Sequence, residues 1–125
     1  MNFDDMIKIA DNLVNPRILT STCEVASVGC VLLTDKGNLY TGIDLDMACG
    51  IGFCAEHSAV AQMILNNETR INKIVAVGKK HRVIPPCGRC RELLYQIDNN
   101  NLETEILVNE NEVKILKDIL PFQWK

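Results

Sequence analysis

Two short motifs contain the residues best suited to chemistry in this 125-residue chain. The first is Cys54-Ala55-Glu56, and the second, later in the chain, is Pro86-Cys87-Gly88-Arg89-Cys90-Arg91. Cys87 and Cys90 are three residues apart, so on a helix they share one face and can bind the same ion. Cys54 can supply a third thiolate from a neighbouring helix. Three protein ligands leave the fourth position of a tetrahedral Zn²⁺ ion open to water, which is typical of a catalytic zinc site.

Glu56 is the candidate catalytic residue beside this predicted metal site. Both motifs are predicted to open helices, and first-turn side chains converge around the axis of a helix that points end-on at an ion. Glu56 can therefore lie next to zinc-bound water without being a ligand. Zinc lowers the pKa of such a water to about 7. We expect Glu56 to take up its proton, pass it to a ring nitrogen and later protonate the departing ammonia.

The predicted helix N-termini also favour thiolates at this site. Three thiolates around Zn²⁺ carry a formal charge of about −1, which the partial positive charge and free N–H groups of a helix N-terminus offset. The same environment lowers the pKa of a thiol. Arg91, one turn beyond Cys87, and His57, next to Glu56, are expected to donate hydrogen bonds to the sulfur atoms.

The elements that position the motifs are predicted from hydrophobic periodicity, turn residues and helix breakers. Helices are predicted at Asn2–Leu13, from Cys54 to about Asn66 and from Pro85 to about Ile97, with strands at Val25–Thr34, Leu39–Leu45, Ile71–Gly78, Glu105–Asn109 and Val113–Ile115, and a turn or short helix at Lys117–Pro121. This order predicts an α/β fold with a mixed sheet covered by helices on both faces. Sites in such sheets form beyond the carboxyl ends of strands, where the following helices begin. Both motifs are at such positions.

The composition limits the classes of partner. The chain is 47% hydrophobic and 23% charged with a net charge of −3, as expected for one soluble domain spanning residues 1–125. Without a basic face, it is expected to bind a small molecule and no nucleic acid. The cluster Lys79-Lys80-His81-Arg82 is read as a solvated loop or, alternatively, as a pocket mouth that touches a phosphate or polar tail.

The same composition predicts a cellular location. No apolar stretch is long enough to span a bilayer, so no membrane partner is expected. The N-terminal residues lack the pattern of a signal peptide, which predicts a cytoplasmic protein. In that compartment the six cysteines are expected to be thiols or metal ligands and not disulfides.

Two other classes of protein remain open at this point. Cys49 precedes Cys54 by five residues, so Cys49, Cys54, Cys87 and Cys90 are compatible with a closed, non-catalytic structural zinc site. Alternatively, Cys87 and Cys90 alone form the Cys-x-x-Cys pattern of a thiol redox protein. The second alternative gives no role to Cys54-Ala55-Glu56.

Taken together, the motifs resemble those of the small, homotetrameric zinc-dependent cytidine deaminases, a family that includes a blasticidin-S deaminase branch. The segments that carry the resemblance are Leu39-Tyr40-Thr41-Gly42, Cys54-Ala55-Glu56, Pro86-Cys87-Gly88-Arg89-Cys90-Arg91 and Ile119-Leu120-Pro121-Phe122. The resemblance implies a three-layer αβα sandwich around a five-stranded mixed sheet. It also implies one zinc ion per subunit, a cytosine nucleoside or analogue as substrate, and a homotetramer whose active sites are shared between subunits.

The resemblance also points to the residues that meet the substrate. Cytidine deaminases typically carry Asn-x-Glu at the end of the second strand, where it holds the ribose hydroxyls, and the matching segment here is Asp44-Leu45-Asp46. Asp44, Asp46 and Ala55 are therefore the candidate substrate-binding residues. Two carboxylates at the sugar end also suit a substrate with a cationic group, such as blasticidin S. His57 replaces the usual arginine after Cys-Ala-Glu, and Ala26 stands near the place of a family aromatic residue.

Overall fold

The computed structural model describes all of residues 1–125. Its four helices are α1 (Phe3–Leu13), α2 (Ala55–Leu65), α3 (Gly88–Ile97) and α4 (Leu116–Ile119). Its seven strands are β1 (Arg17–Thr20), β2 (Cys23–Thr34), β3 (Leu39–Asp46), β4 (Ile71–Val77), β5 (Val83–Ile84), β6 (Glu105–Asn109) and β7 (Glu112–Ile115). Every helix and strand predicted from the sequence is present. None of the helices is both long and apolar enough to cross a membrane.

All strands belong to one mixed sheet. The order β1-β2-β4-β6-β7 runs across it, while β3 pairs with β2 and β5 pairs with β4. The β4–β6 pair is parallel and the other pairs are antiparallel. The mixed sheet is confirmed, but it has seven strands where five were expected. The two additional strands are short: β1 is exposed along its whole length, and β5 has two residues, so neither shows a periodic hydrophobic pattern.

Alternating side chains of the sheet build two separate cores, as expected for strands covered on both faces. One core lies under α1 and the other under α2 and α3. The first consists of Met6, Ala10, Val31, Val75, Val77, Val83 and Leu107. The second consists of Cys30, Leu32, Ala55, Ala59, Val60, Met63, Ile71, Ile74, Ala76, Leu94, Ile106 and Leu116. The three αβα layers implied by the resemblance are therefore present.

The sheet brings the N-termini of α2 and α3 together. Strands β3 and β4 are both antiparallel to β2, so they run parallel to each other and end at the same edge. Helix α2 follows β3, and α3 follows β4 and the short β5. The structure begins these helices at Ala55 and Gly88, slightly later than predicted, with Cys54 and Cys87 as N-caps in extended conformation.

Gly42 sets the distance between α2 and β3. A Cβ atom at this position would overlap the backbone of Ala55 and Ala59 in α2. The absent side chain therefore allows the first turns of α2 to lie directly on β3. This contact fixes the helix that carries the first motif.

Candidate active site

A short ladder closes the loop that precedes α2 and places the first cysteine. Leu45 and Phe53 exchange two backbone hydrogen bonds of 3.0 Å, N–H to carbonyl in both directions. The residues between them form a loop with a 3-10 turn at Ala48–Gly50. Because Phe53 is anchored to the end of β3, Cys54 follows directly beside that strand end. The first motif is thereby held by backbone contacts.

The three motif cysteines form a compact sulfur cluster. The Sγ atoms of Cys54 and Cys87 are 3.6 Å apart, and those of Cys87 and Cys90 are 3.5 Å apart. Tetrahedral zinc with Zn–S bonds of about 2.3 Å separates two thiolate ligands by about 3.8 Å. The sulfur positions therefore fit one zinc ion after small adjustments. Cys90 is fully buried, whereas Cys87 is exposed and leaves the cluster open on one side.

His57 belongs to the same cluster. Its Nδ1 lies 3.6 Å from Cys90 Sγ, and the potential ligand atoms of Cys54, His57 and Cys90 all lie within 4.8 Å of one another. Two overlapping donor sets thus share Cys54 and Cys90, and they differ in whether Cys87 or His57 completes them. The Cys87 sulfur lies within 3.6 Å of both other sulfurs, and Cys87 is the N-cap residue of α3. The trio of sulfurs is therefore the better-formed set, with His57 beside it as a hydrogen-bonding partner.

The thiols at the two helix starts titrate differently. Burial raises the pKa of Cys54 and of Cys90, and for Cys90 the neighbouring Glu56 carboxylate raises it further. Burial also acts on Cys87, but hydrogen bonds from the Cys90 amide and thiol, the Cys54 thiol and the Arg89 amide outweigh it and lower its pKa. Three ionised sulfurs at these distances repel one another, so a cation is required to make all three thiolates stable. The donor chemistry agrees with a zinc ligand set.

Glu56 lies beside the sulfur cluster in the first turn of α2. Its side chain is 5% exposed. Burial raises the pKa of its carboxyl group, hydrogen bonds from its own amide and the Cys90 thiol partly offset this effect, and the negative charge of Asp44 adds to it. A raised pKa brings a carboxyl group closer to the range in which it can both accept and return a proton. This environment suits a proton carrier.

One cavity joins the sulfur cluster to the predicted substrate residues. It has a volume of about 410 Å³, and Cys54, Ala55, Glu56 and Cys87 form one part of its wall. Asp44 and Asp46, at the end of β3, form another part. The volume is within the range of small-molecule sites. The structure therefore brings two candidate metal ligands, Glu56 and the substrate candidates into a single pocket, while the third candidate ligand, Cys90, is buried next to Cys87.

Most of the sequence matches the model of a known family. Residues 5–104 match the family model described as the cytidine and deoxycytidylate deaminase zinc-binding region. The chain belongs to this family. It is accordingly a zinc-dependent hydrolytic deaminase, and the family resemblance drawn from its motifs is confirmed.

Individual deaminases are similar to the chain over different lengths. Cytidine deaminase of Mycobacterium tuberculosis is 29% identical over 96 residues, which cover 76% of this chain and 70% of the relative. Blasticidin-S deaminase of Bacillus cereus is 30% identical over 76 residues, which cover 54% of each protein. The crystal structure of cytidine deaminase from Mycobacterium leprae aligns with a TM-score of 0.80 at 28% identity, covering 97% of this chain and 98% of that one.

Arg91 occupies a different environment from the one expected for it. Its Nε donates to the Pro86 carbonyl over 2.9 Å, and one terminal nitrogen donates to the Ile119 carbonyl over 3.3 Å. These bonds tie the loop before α3 to the C-terminal helix α4. The guanidinium thus donates to backbone carbonyls, and no hydrogen bond joins it to a cysteine sulfur.

The alternative four-cysteine site lacks its fourth member. Cys49 is exposed on the 3-10 turn with φ 60°, and no hydrogen bond joins it to the three clustered sulfurs. Cys49 therefore lies outside the site that the other three motif cysteines form.

Several residues of the deaminase pocket were not selected from the sequence. Phe53 and Arg89 both line the cavity. The Phe53 ring stacks near the His57 ring at 6.3 Å between centroids and 22° between planes. Phe53 directly precedes Cys54 and Arg89 directly precedes Cys90, so their positions next to motif cysteines could have indicated that they line the pocket. Ser27 does not line the cavity but donates a hydrogen bond to the Asp44 carboxylate, a contact that the sequence does not indicate because the two residues are 17 positions apart.

Proposed function

We propose that this deaminase converts cytidine and deoxycytidine to the corresponding uracil nucleosides and ammonia. The observation that carries the proposal is the cluster of Cys54, Cys87 and Cys90, which meets a cavity of about 410 Å³ through Cys54 and Cys87, beside the buried Glu56. Relatives named cytidine deaminase support the choice of nucleoside. A net charge of −3 favours a free nucleoside over a nucleic acid.

We assign the roles of metal ligands to Cys54, Cys87 and Cys90. Zinc bound to them supplies a Lewis acid that makes a water molecule nucleophilic at neutral pH. The amides of the α3 first turn stabilise the Cys87 thiolate, as its lowered pKa indicates. His57, 3.6 Å from Cys90 Sγ, donates a hydrogen bond to that sulfur and fixes its orientation.

Glu56 moves the protons of the reaction. Its carboxylate accepts a proton from the water that attacks C4 of the cytosine ring and gives it to ring nitrogen N3. It then carries the proton of the new C4 hydroxyl to the amino group. The C4–N bond breaks, ammonia leaves and the C4 carbonyl forms. Burial of Glu56 keeps bulk water away from these transfers.

The rest of the nucleoside meets Ala55 and the end of β3. Ala55 lies between the ligand Cys54 and Glu56 on the cavity wall, so its backbone is placed to contact the base. Asp44 and Asp46 line the same cavity and accept hydrogen bonds from the sugar hydroxyls. Each carboxylate oxygen has two lone pairs for such bonds.

A second candidate function is deamination of blasticidin S or another modified cytosine compound. The observation in its favour is that two carboxylates, Asp44 and Asp46, line one wall of the cavity, which suits a cationic substituent on the substrate. Similarity to a blasticidin-S deaminase from Bacillus cereus supports it. The two candidate functions use the same metal ligands and the same proton carrier. They differ only in the substrate group that meets Asp44 and Asp46.

We also propose a homotetramer with shared active sites, as the family resemblance implies. Several large apolar side chains are exposed on the single chain, which supports burial at subunit contacts. They include Ile18, Leu19, Ile51, Leu65, Phe122 and Trp124. Light scattering after gel filtration tests this proposal, with an expected mass of four times 14.0 kDa.

We place the reaction in cytoplasmic pyrimidine salvage. All six cysteines are free thiols in the structure. A reducing compartment preserves the three ligand thiols in the form that binds zinc. The product, a uracil nucleoside, is a compound that salvage enzymes consume.

A substrate panel tests the proposed function. Zinc-replete protein is incubated with cytidine, deoxycytidine, blasticidin S and, as a negative control, adenosine, and ammonia release is measured. We expect turnover of cytidine and deoxycytidine. Turnover of blasticidin S alone would select the second candidate. Failure of every cytosine compound with a tetrameric, zinc-loaded protein would refute both.

A further inference from the structure

Strand β2 carries a bulge opposite Asp44. Regular pairing with β3 stops after Val25 and resumes at Gly29, so three residues of β2 lie opposite the single residue Asp44. The first of the three, Ala26, is fully buried with φ 66°, a left-handed conformation that is unfavourable for alanine. Bulges of this kind are concentrated next to active sites, where they redirect side chains.

The Asp44 side chain replaces the missing ladder contacts. The Ser27 hydroxyl donates to Asp44 Oδ2 over 2.6 Å, and the Val28 amide donates to Asp44 Oδ1 over 2.8 Å. Hydrogen bonds from an O–H to a carboxylate at this distance are among the stronger ones in proteins. Two donors, one on each oxygen, fix the orientation of the carboxylate. Each oxygen keeps a second lone pair for another donor.

The same bulge forms part of the catalytic cavity. Asp44 and Val28 line the cavity that also contains Cys54 and Glu56, whereas Ser27 is outside its lining and faces a neighbouring surface pocket. Ser27 is therefore not among the residues that form the wall of the catalytic cavity. Its effect on a ligand must pass through the Asp44 carboxylate.

We propose that Ser27 is a positioning residue that sets the sugar selectivity of the enzyme. Its hydroxyl holds the Asp44 carboxylate in the orientation that accepts a hydrogen bond from a sugar hydroxyl. This inference rests on the proposed function, because it assigns a substrate group to the same cavity. Without the Ser27 hydroxyl, only the Val28 amide holds Asp44, and the carboxylate rotates. Glu56 is carried by α2, and the charge of Asp44 is the smallest of the causes that act on its pKa, so the proton transfers are expected to change little.

The test compares Ser27→Ala with the wild-type enzyme on cytidine and on 2′,3′-dideoxycytidine, which lacks the 2′ and 3′ hydroxyls and keeps the 5′ hydroxyl. For cytidine we expect KM to rise about 5- to 20-fold with kcat within about 2-fold, because the lost contact is made equally in ground and transition states. For dideoxycytidine we expect unchanged constants. The preference for cytidine therefore falls by the same factor as its KM rises.

Three variants accompany this comparison. Ser27→Thr keeps a hydroxyl and is expected to restore the selectivity. Ser21→Ala removes a hydroxyl from the exposed β1–β2 turn and is expected to leave all constants unchanged. Ser27→Cys nearly preserves the side-chain volume but offers only a weak donor, so it is expected to behave like Ser27→Ala and replaces it if the alanine variant does not fold.

The outcomes separate this inference from the proposed function. If the wild-type enzyme deaminates no cytosine compound, the proposed function fails. If it is active and Ser27→Ala keeps its preference for cytidine, only the role of Ser27 is refuted. Equal losses on both nucleosides, or a Ser27→Thr variant as unselective as Ser27→Ala, would also refute it, since they indicate a merely structural contact.

Discussion

The sulfur atoms of Cys54 and Cys87 lie 3.6 Å apart, although each residue caps a different helix. This distance makes the metal site a link between α2 and α3, two elements that follow different strands. A bound ion therefore joins parts of the chain that are distant in sequence, and its effects extend from catalysis to stability.

Serine substitutions distinguish the two possible ligand sets. Cys87→Ser and Cys90→Ser are expected to lose zinc, whereas His57→Ala is expected to retain one equivalent, because the three sulfurs form the tighter set. Cys49→Ser serves as the control and keeps its zinc. The zinc content per folded chain, measured by inductively coupled plasma mass spectrometry, shows which of the two ligand sets binds the ion. Loss of zinc in His57→Ala with retention in Cys87→Ser would show that the histidine set is the correct one.

Removal of the metal is expected to lower stability as well as activity. A ligand that binds only the folded state stabilises it by about 4 kcal/mol when its concentration is about 1,000 times its Kd. We expect a chelator to abolish turnover and to lower the unfolding temperature, and added zinc to restore both. Differential scanning calorimetry with and without the chelator measures the shift. A chelated protein that keeps full activity would contradict a catalytic metal.

Glu56→Gln separates proton transfer from metal binding. Glutamine has the shape of glutamate but cannot carry the proton, so kcat is expected to fall by about 10²- to 10⁴-fold while zinc content and folding are unchanged. Glu105→Gln, at an exposed position of β6, is the matched control and is expected to keep wild-type activity. Steady-state ammonia release measures both variants. Near-normal turnover by Glu56→Gln would exclude the proposed proton carrier.

Asn101 is expected to contribute to stability and not to catalysis. This fully buried residue accepts a hydrogen bond from the Ile71 amide over 2.8 Å and donates to the carbonyls of Thr69 (3.0 Å) and Leu94 (2.9 Å). Asn101→Ala leaves those groups without partners, which costs about 2–4 kcal/mol in total. Urea unfolding measures the loss, and activity per folded molecule should not change. Asn100→Ala, at an exposed neighbouring position, is the control and should unfold like the wild type.

Glu68 makes the stability dependent on pH in the acidic range. Hydrogen bonds from Tyr40, Thr34 and Asn38, together with the charge of Lys36, lower the pKa of Glu68, although burial acts in the opposite direction. Because the pKa is lower in the folded state, the unfolded state binds more protons at pH values between the two pKa values. The stabilisation by Glu68 is therefore complete above the unfolded pKa of about 4.3 and is lost as the pH falls through the folded pKa.

Urea unfolding of the wild type and of Glu68→Gln at pH 7 and at pH 3 tests this dependence. We expect the wild type to be the more stable protein at pH 7 and the difference to shrink at pH 3. Glu105→Gln, at an exposed position of β6, controls for the general effect of removing a negative charge. A difference that grows on acidification would contradict the lowered pKa.

The clustering of the three motif cysteines beside Glu56 could be predicted because the residues that form it are encoded in two short motifs. Cys87 and Cys90 have helical spacing, Cys54 and Glu56 stand together, and both motifs precede residues with clear helix-forming patterns. The αβα layering followed from the same periodicity. These features depend on neighbours in the chain, which a single sequence shows directly.

Other features depend on contacts between distant segments. Strand β1 is exposed and exists because Arg17 pairs with Val25 across a tight turn. Arg91 was expected to meet a thiolate, but the Ile119 carbonyl, contributed by the C-terminal helix, is one of its partners. The hydrogen bond from Ser27 to Asp44 requires the bulge in β2, which cannot be predicted from the residues next to it in the sequence.

The two backbone hydrogen bonds between Leu45 and Phe53 close a loop at the rim of the cavity. Residues inside this closed loop, from Asp46 to Gly52, contribute to the rim of the cavity, whereas Cys54 lies just outside the closure. An insertion or deletion in the loop is therefore expected to change the rim without displacing Cys54, the first of the proposed metal ligands. Changes in the sequence or length of this loop can therefore alter substrate selectivity during evolution, while Cys54 and Glu56 keep their positions.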